Sequence, residues 1–338
     1  MMAGLEIKEG RVSKNSGLYR SLTENCRHEI MGLRSHPDLS LKQLSGSHPV
    51  FLIKDHDSDK RFILKSFFDH GVSTSRLLRR LDKEYGRLKY LARLQAGGRR
   101  TRCVKPVCRD RKALFIVEEE VKGRNLGHFA KEAMRKDGSR LYDKLDLLTG
   151  FLFDMHSKTA SGERIDAGVL YSELARHAIQ SLKAGSVSRH KFRKVLGLAR
   201  RWCHSYGIRH AYRSMVHGDA TVSNFLFRGN RMFAIDLERS MYVDPVYDLG
   251  MIAGELFNEA LTHADNPYRA DPYIGHMYWA YSGHCGDQRT TFCQLTSRNP
   301  LYMANSLLRM SRNEFFSPDH RQKLAEYALK CLQSPPPG

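Results

Sequence analysis

No stretch of this sequence approaches the ~20 consecutive apolar residues of a membrane-spanning helix, so no such helix is expected. The start, from Met1 to Arg11, is polar and carries no apolar h-region, so a secretory signal is not expected either. There is no C-x-x-C, and seven cysteines is an odd number for a closed disulfide framework. Free, mostly structural thiols in a reducing cytoplasm are the expectation. The 16 histidines include no H-x3-H or H-E-x-x-H pair, which argues against a zinc site. Repeats and low-complexity tracts are missing, and only Pro335 to Gly338 reads as a frayed tail. Acidic residues are the most telling shortage: Asp+Glu is 36 against a Lys+Arg of 55, a formal net charge of +19. A surplus of that size predicts an anionic partner such as nucleic acid, a phospholipid surface or a phosphorylated substrate.

What is present suits a folded chain. A hydrophobic fraction of 41% supports a real core, and 338 residues allow about two domains. Leu39–Ser45 alternates apolar and polar residues, and Gly46-Ser47-His48-Pro49 breaks it. Val50–Lys54 and Phe62–Phe67 flank a polar turn at Asp55–Lys60, which predicts an antiparallel three-strand start. One possible short helix precedes it near Ser21–Leu33. A long helix is predicted over Thr74–Gln95, with Leu77, Leu81, Leu88 and Leu91 on one face and Gly97-Gly98 as its stop. Two more strands are expected near Val104–Cys108 and Ala113–Val121. Beyond Gly123 the pattern turns helical. Leu145, Leu148, Leu152 and Met155 form a stripe closed by His156, read as a core histidine, and the signal is again helical from Leu249 onward. The expected class is α+β, a small antiparallel β lobe with one helix followed by a larger, mainly helical lobe. The boundaries are an N-terminal extension at 1–38, the first lobe at 39–122 and the second at 123–334.

The chemistry is carried by His217-Gly218-Asp219-Ala220-Thr221-Val222-Ser223-Asn224, then Ile235-Asp236-Leu237-Glu238, then Asp244-Pro245-Val246-Tyr247-Asp248-Leu249. Phosphoryl transfer needs one carboxylate facing the attacking hydroxyl. It also needs an amide oxygen and a second carboxylate to hold Mg²⁺ against nucleotide phosphates. The intervening Phe225–Ile235 reads as a β-hairpin, which would bring Asn224 and Asp236 to adjacent strand ends.

These three motifs, in this order and spacing, resemble the aminoglycoside phosphotransferase-like branch of the protein-kinase-like superfamily. The sequence is also similar to lipopolysaccharide core kinases and to RIO-like and tRNA kinases. The resemblance implies a bilobal kinase-like fold that uses ATP and Mg²⁺. It makes Asp219 the catalytic base and makes Asn224 and Asp236 the metal ligands. His217 and Asp248 become braces of the catalytic loop. Lys65 stands in the place of the family's phosphate-gripping strand lysine, and Glu84, on the long helix, becomes its partner. Gly46 and Ser47 fall where the phosphate-covering loop belongs. Glu119 and Val121 fall in the hinge whose backbone meets the adenine edge.

Three features depart from the wider pattern. The segment Gly46–Pro49 has one glycine and a proline where a glycine-rich loop belongs. Asp236 is followed by Leu237-Glu238 rather than Phe-Gly. The short span from Asp236 to Asp248 leaves no room for a long activation loop, which argues against a protein kinase. The charge is also uneven. Between Arg76 and Lys112 basic residues meet only Asp82, Glu84 and Asp110, and a second basic stretch runs from Arg189 to Arg213. Such a surface disfavours a cationic drug as acceptor. The expected acceptor is an anionic, non-protein hydroxyl compound, first a lipopolysaccharide-type or other phosphorylated sugar or lipid. The alternatives are an RNA kinase acting on a tRNA ribose hydroxyl and, in another class, a pseudokinase that only binds nucleotide. The expected location is the cytoplasm, with peripheral contact at an anionic inner membrane face.

Overall fold

Period-two burial builds the first sheet and gives its two faces different coverings. In the computed structural model, which describes residues 5–25, 36–44, 49–94, 100–136, 138–264 and 266–337, the chain forms two units. The first comprises Met1–Gly98, Arg102–Lys122 and Phe233–Glu238, and the second comprises Arg99–Thr101, Gly123–Met232 and Arg239–Gly338.

The first unit contains β1 (Gly10–Arg11), α1 (Gly17–Asn25), β2 (Leu39–Leu44), β3 (Val50–Asp55), β4 (Arg61–Ser66) and α2 (Thr74–Leu94). After β5 (Thr101–Cys103), where the chain passes between units, come β6 (Pro106–Asp110) and β7 (Phe115–Glu119). Six strands pair antiparallel in the order β1-β2-β3-β4-β7-β6. On one face Phe51, Ile53, Phe62, Leu64, Phe115 and Val117 pack with Tyr19 and Leu22 of α1. On the other, Ile116 packs with Leu77 and Leu81 of α2. The alternation in β7 thus sends Phe115 and Val117 one way and Ile116 and Glu118 the other. The helix expected near Ser21–Leu33 begins earlier, at Gly17, because Tyr19 and Leu22 supply its buried stripe. The expected stop at Gly97-Gly98 lies outside the described residues, as do Gly46 and Ser47.

The second unit is built mainly of helices. It holds β8 (Arg124–Asn125), α3 (Leu126–Arg135), α4 (Ser139–Lys158), α5 (Ala167–Lys183), α6 (Arg189–Cys203), α7 (Tyr206–Arg209) and β9 (Ser214–Val216). The hairpin β10 (Phe225–Arg228) and β11 (Arg231–Ala234) follows, the last two residues of β11 belonging to the first unit, then β12 (Met241–Val243), α8 (Val246–His263), α9 (Asp271–Ser282), α10 (Gln288–Ser311) and α11 (Pro318–Gln333). Their starts are written in the sequence. Asn125, Asp166, Ser188, Asp287 and Ser317 each accept a backbone N–H of the first helical turn, satisfying donors that have no partner inside the helix. The stripe of α4 is buried as expected, including His156.

Cys108 is disulfide-bonded, which corrects the expectation of free thiols throughout; Cys103, Cys203, Cys285, Cys293 and Cys331 are free. No helix among the described residues is long and apolar enough to cross a membrane.

α8 is buried along most of its length because α10 approaches it closely. A Cβ at Gly250 would lie 2.3 Å from the Tyr302 Cβ, and one at Gly254 would lie 2.6 Å from Ser306 Oγ. The glycines are what permit the approach. Gly250→Ala is therefore expected to destabilise the fold by about 1–3 kcal/mol through overpacking. Gly86→Ala, in α2 with nothing within 4 Å of its Cβ position, should stabilise by about 0.5–1 kcal/mol. Urea midpoints of the two variants check both signs.

Candidate active site

In the first unit the register of β4 and β7 decides who meets Lys65. Lys65 pairs with Ile116, and Ile63 pairs with Glu118, so Lys65 and Glu118 share the face that α2 covers. Glu84 lies on the same buried stripe of α2 as Leu81 and Leu88. The Lys65 ammonium sits 3.0 Å from Glu84 Oε1, 3.2 Å from Glu118 Oε1 and 3.8 Å from Asp236 Oδ1. One cation thus faces three carboxylates. Burial works to lower the Lys65 pKa, but Glu118, Glu84 and Asp236 outweigh it and hold it above its ordinary value. Burial pushes Glu84 up to about 7 against the pull of Lys65, and it raises Glu118 as well. The cluster carries a surplus of negative charge when all three carboxylates ionise.

Asp236 adopts a left-handed backbone, φ 62°, which costs an L-residue energy and is held only where surroundings impose it. Its side chain is 39% exposed, the most open of the cluster. Glu119 is differently engaged. Its carboxylate takes the Arg102 guanidinium in a fork and the Lys105 N–H, and its own N–H donates to the Lys105 carbonyl at 3.1 Å. That N–H is therefore already committed and is not the donor toward an adenine edge. Val121 is half-buried just beyond β7.

In the second unit the loop after β9 is hung on Asp248, in the first turn of α8. Asp248 is fully buried. Its carboxylate accepts the His217 N–H at 2.7 Å and the Gly218 N–H at 3.0 Å, and contacts His156 Nε2 at 3.0 Å. The other nitrogen of His156 lies 2.9 Å from the Tyr281 hydroxyl. His156 is the core histidine that the stripe predicted, and it is also part of this bracing. Gly218 has φ +77°, and a Cβ there would lie 2.2 Å from the Arg239 carbonyl, so only glycine lets the chain turn at this point. The turn delivers Asp219. The Asn224 amide donates to the Asp219 carbonyl at 2.8 Å, which fixes the amide and leaves its oxygen as an acceptor. The buried ring of His217 stands behind the loop and accepts the Asp219 N–H at 3.4 Å.

The sequence reading missed two partners. Glu118 was visible in principle, because alternation along β7 places it opposite Phe115 and Val117. Arg309 of α10 had no local signal. Its guanidinium donates to Asp219 Oδ1 at 2.8 Å and to Glu255 at 2.8 Å, joining positions far apart in the chain.

Taken separately, Asn224 of the second unit offers an amide oxygen and Asp236 of the first a carboxylate, and oxygen donors are the ligand type of Mg²⁺ rather than of zinc. No group of three or more His, Cys, Asp or Glu among the described residues is arranged to hold a metal alone. Mg²⁺ commonly takes only one or two protein carboxylates and completes its shell with phosphates and water.

The raised carboxylate has a consequence for stability. Glu84 is ionised above about 4.5 in the unfolded chain but keeps its proton to about 7 when folded. Its contribution is therefore full below about 4.5 and is lost as pH rises through about 7. Urea midpoints measured across this window should fall more steeply with pH for the wild type than for Glu84→Gln. Equal slopes would show that Glu84 does not titrate there.

Solved structures with the same fold are enzymes of one broad kind, at low identity. A choline kinase from Streptococcus pneumoniae is 19% identical, with a TM-score of 0.53, over 95% of this chain and 100% of that one. A choline kinase from Cryptosporidium parvum is 14% identical, with a TM-score of 0.57, over 87% of each chain. An amicoumacin kinase, solved with AMP-PNP and Ca²⁺, is 14% identical, with a TM-score of 0.54, over 88% of this chain and 89% of that one. These likenesses establish the α+β kinase-like fold. No curated protein sequence matches the chain. The model of the phosphotransferase enzyme family matches residues 40–280, well over half of the sequence. The chain belongs to that family, the aminoglycoside phosphotransferase-like branch of the protein-kinase-like superfamily.

Proposed function

We propose that this phosphotransferase uses ATP and Mg²⁺ to phosphorylate a hydroxyl on an anionic, non-protein acceptor, first a lipopolysaccharide-type or other phosphorylated sugar or lipid. The observation that carries the nucleotide role is the buried Lys65–Glu84 pair at 3.0 Å. A lysine fixed in this way presents its ammonium to the α- and β-phosphates without an ordering cost at the moment of binding. By their place in the sequence Gly46 and Ser47 are assigned to the phosphates, and the carbonyl of Glu119 and the backbone of Val121 to the adenine. Asn224 and Asp236 are the residues that would hold Mg²⁺, which when bound would supply positive charge against the nucleotide phosphates.

Asp219 accepts the proton of the acceptor hydroxyl. The hydroxyl oxygen bonds to the γ-phosphorus, the bond from that phosphorus to the bridging oxygen breaks, and ADP leaves with the electron pair. His217 and Asp248 do not touch reactants; they hold the turn that carries Asp219. The net charge of +19 exceeds what one nucleotide needs, which supports an acceptor with negative charge of its own. The proposed location is the cytoplasm, at or near an anionic membrane surface.

One observation favours RNA as the second acceptor. Arg76, Arg79, Lys83, Lys89 and Arg93 are exposed along α2, while Asp82 is occupied by Arg109 at 2.7 Å and Arg111 at 3.3 Å. Labelled ATP distinguishes the readings. Wild type incubated with separate sugar, lipid and RNA extracts should label one fraction, and Asp219→Asn should lower that transfer by about 10²–10⁴-fold. If wild type binds Mg·ATP and labels nothing, the chain is a nucleotide-binding pseudokinase. If RNA is the acceptor, log affinity should fall with log salt by about 0.7–0.9 per neutralised phosphate, and a flat response excludes it.

A further inference from the structure

The middle of α8 buries a carboxylate that the bracing of the Asp219 turn does not use. Asp248, in the first turn of the helix, holds that turn by the His217 and Gly218 N–H groups. Glu255 follows seven residues later. Seven steps of about 100° come close to two full turns, so both side chains leave the same side of α8, about 10.5 Å apart along its axis. The Glu255 side chain is 12% exposed. A carboxylate at that depth is costly unless it is paired and hydrogen-bonded. Its partner is Arg309 of α10, whose Nη2 donates to Glu255 Oε1 at 2.8 Å.

The same guanidinium donates Nη1 to Asp219 Oδ1 at 2.8 Å. One planar fork therefore has an arm on each carboxylate. The arms are rigid with respect to each other, so the hold on Glu255 also aims the arm that meets Asp219. Helix packing sets the reach. A Cβ at Gly254 would lie 2.6 Å from Ser306 Oγ, which donates to the Met251 carbonyl at 3.1 Å. Gly254 precedes Glu255 and Ser306 stands one turn before Arg309, so a close approach of α8 and α10 lies beside the pair.

The two oxygens of Asp219 are unequally engaged. Oδ1 is taken by Arg309. Oδ2 lies 3.5 Å from the Asn224 amide, whose shorter bond goes to the Asp219 carbonyl, and 4.0 Å from Arg239 Nε. Hydrogen bonds are weak at such lengths, so Oδ2 is the oxygen with capacity for a further donor. Asp248 fixes the backbone at this turn, but an aspartate side chain still chooses among rotamers. The arm of Arg309 makes that choice.

We infer that Arg309 and Glu255 are positioning residues for phosphotransfer: Glu255 fixes Arg309, Arg309 pins Asp219 Oδ1, and Oδ2 is left for the acceptor hydroxyl. This positioning rests on the base role proposed for Asp219. Oδ2 takes the hydroxyl proton as the hydroxyl oxygen bonds to the γ-phosphorus and ADP leaves with the electron pair of the broken bond. One helix then sets the base twice. Asp248 sets its backbone, and Glu255, through Arg309, sets its side chain. Neither Arg309 nor Glu255 touches a reactant, so their loss acts on the rate of transfer and spares nucleotide binding.

The test is a double-mutant cycle on the full chain. Transfer from labelled Mg·ATP is read to water and to any extract fraction that the wild type labels. Arg309→Gln should lower kcat by about 10–10²-fold with KM for Mg·ATP unchanged. Arg309→Lys should recover part of the rate, since an ammonium lacks the fork that spans two carboxylates. Glu255→Gln keeps an acceptor oxygen for Arg309 and should cost less than Arg309→Gln. Arg309→Gln/Asp219→Asn should be no slower than Asp219→Asn alone, because a residue that acts through Asp219 then has nothing to act on. If Arg309→Gln leaves Glu255 unpaired and does not fold, Arg309→Gln/Glu255→Gln, which removes both charges, takes its place. Melting temperatures with and without Mg·AMP-PNP check folding and nucleotide binding in each variant. Losses that multiply in the double variant, or a wild-type kcat in Arg309→Gln while Asp219→Asn is slow, overturn the positioning role alone. A raised KM for Mg·ATP at unchanged kcat does the same. A wild-type rate in Asp219→Asn, or a wild type that binds Mg·AMP-PNP and transfers phosphate neither to water nor to any fraction, overturns the base role and the positioning with it.

Discussion

A single buried carboxylate organises the loop after β9. Asp248 has no access to water, so its charge must be answered inside the protein. Two consecutive backbone N–H groups, from His217 and Gly218, and the ring of His156 answer it. Because the donors are consecutive, the loop can satisfy Asp248 in only one shape, and that shape turns at Gly218 and presents Asp219. The side chain at the start of α8 thereby sets the position of the Asp219 carboxylate, about thirty residues earlier in the chain. His156 and Tyr281 extend the same constraint into α4 and α9. A partly satisfied polar network of this depth is worse than an apolar core, and this explains why so many elements of the unit converge on it.

The electrostatics of the two units differ. In the first, one ammonium faces Glu84, Glu118 and Asp236, and burial favours the neutral forms of Glu84 and Glu118. In the second, Arg309 is shared between Asp219 and Glu255, and Arg239 lies 4.0 Å from the other Asp219 oxygen. In both, a partly buried cation is held by more than one carboxylate or by a carboxylate that a second cation also meets, so no single ion pair fixes the geometry.

Much of the architecture was legible in the chain. The alternation in Leu39–Leu44, Val50–Asp55 and Arg61–Ser66, the leucine stripe of α2 and the hairpin β10–β11 are local patterns, and local patterns survive folding when their apolar faces have somewhere to go. The departures have local causes too. α1 begins at Gly17 because Tyr19 and Leu22 find a sheet face, a partner that composition alone does not reveal. Cys108 proved disulfide-bonded although spacing gave no hint of it. At the site, Asp219, Asn224, Asp236, Asp248 and Lys65 stood out because their spacing is fixed by one short stretch of backbone or by one strand.

By itself, then, the sequence determined the order of elements and the family, and it singled out the residues proposed to carry phosphotransfer, since these depend on short-range spacing and on period. It also determined the size of the positive surplus. Only the tertiary structure decided which charges meet. Arg309, Asp219 and Glu255 come from distant segments, and nothing short of folding brings the guanidinium to 2.8 Å from each carboxylate. The densest basic run, by contrast, is partly spent on Asp82 and Glu119. Charge can be counted along a chain, but its effect on a ligand falls off with distance in space.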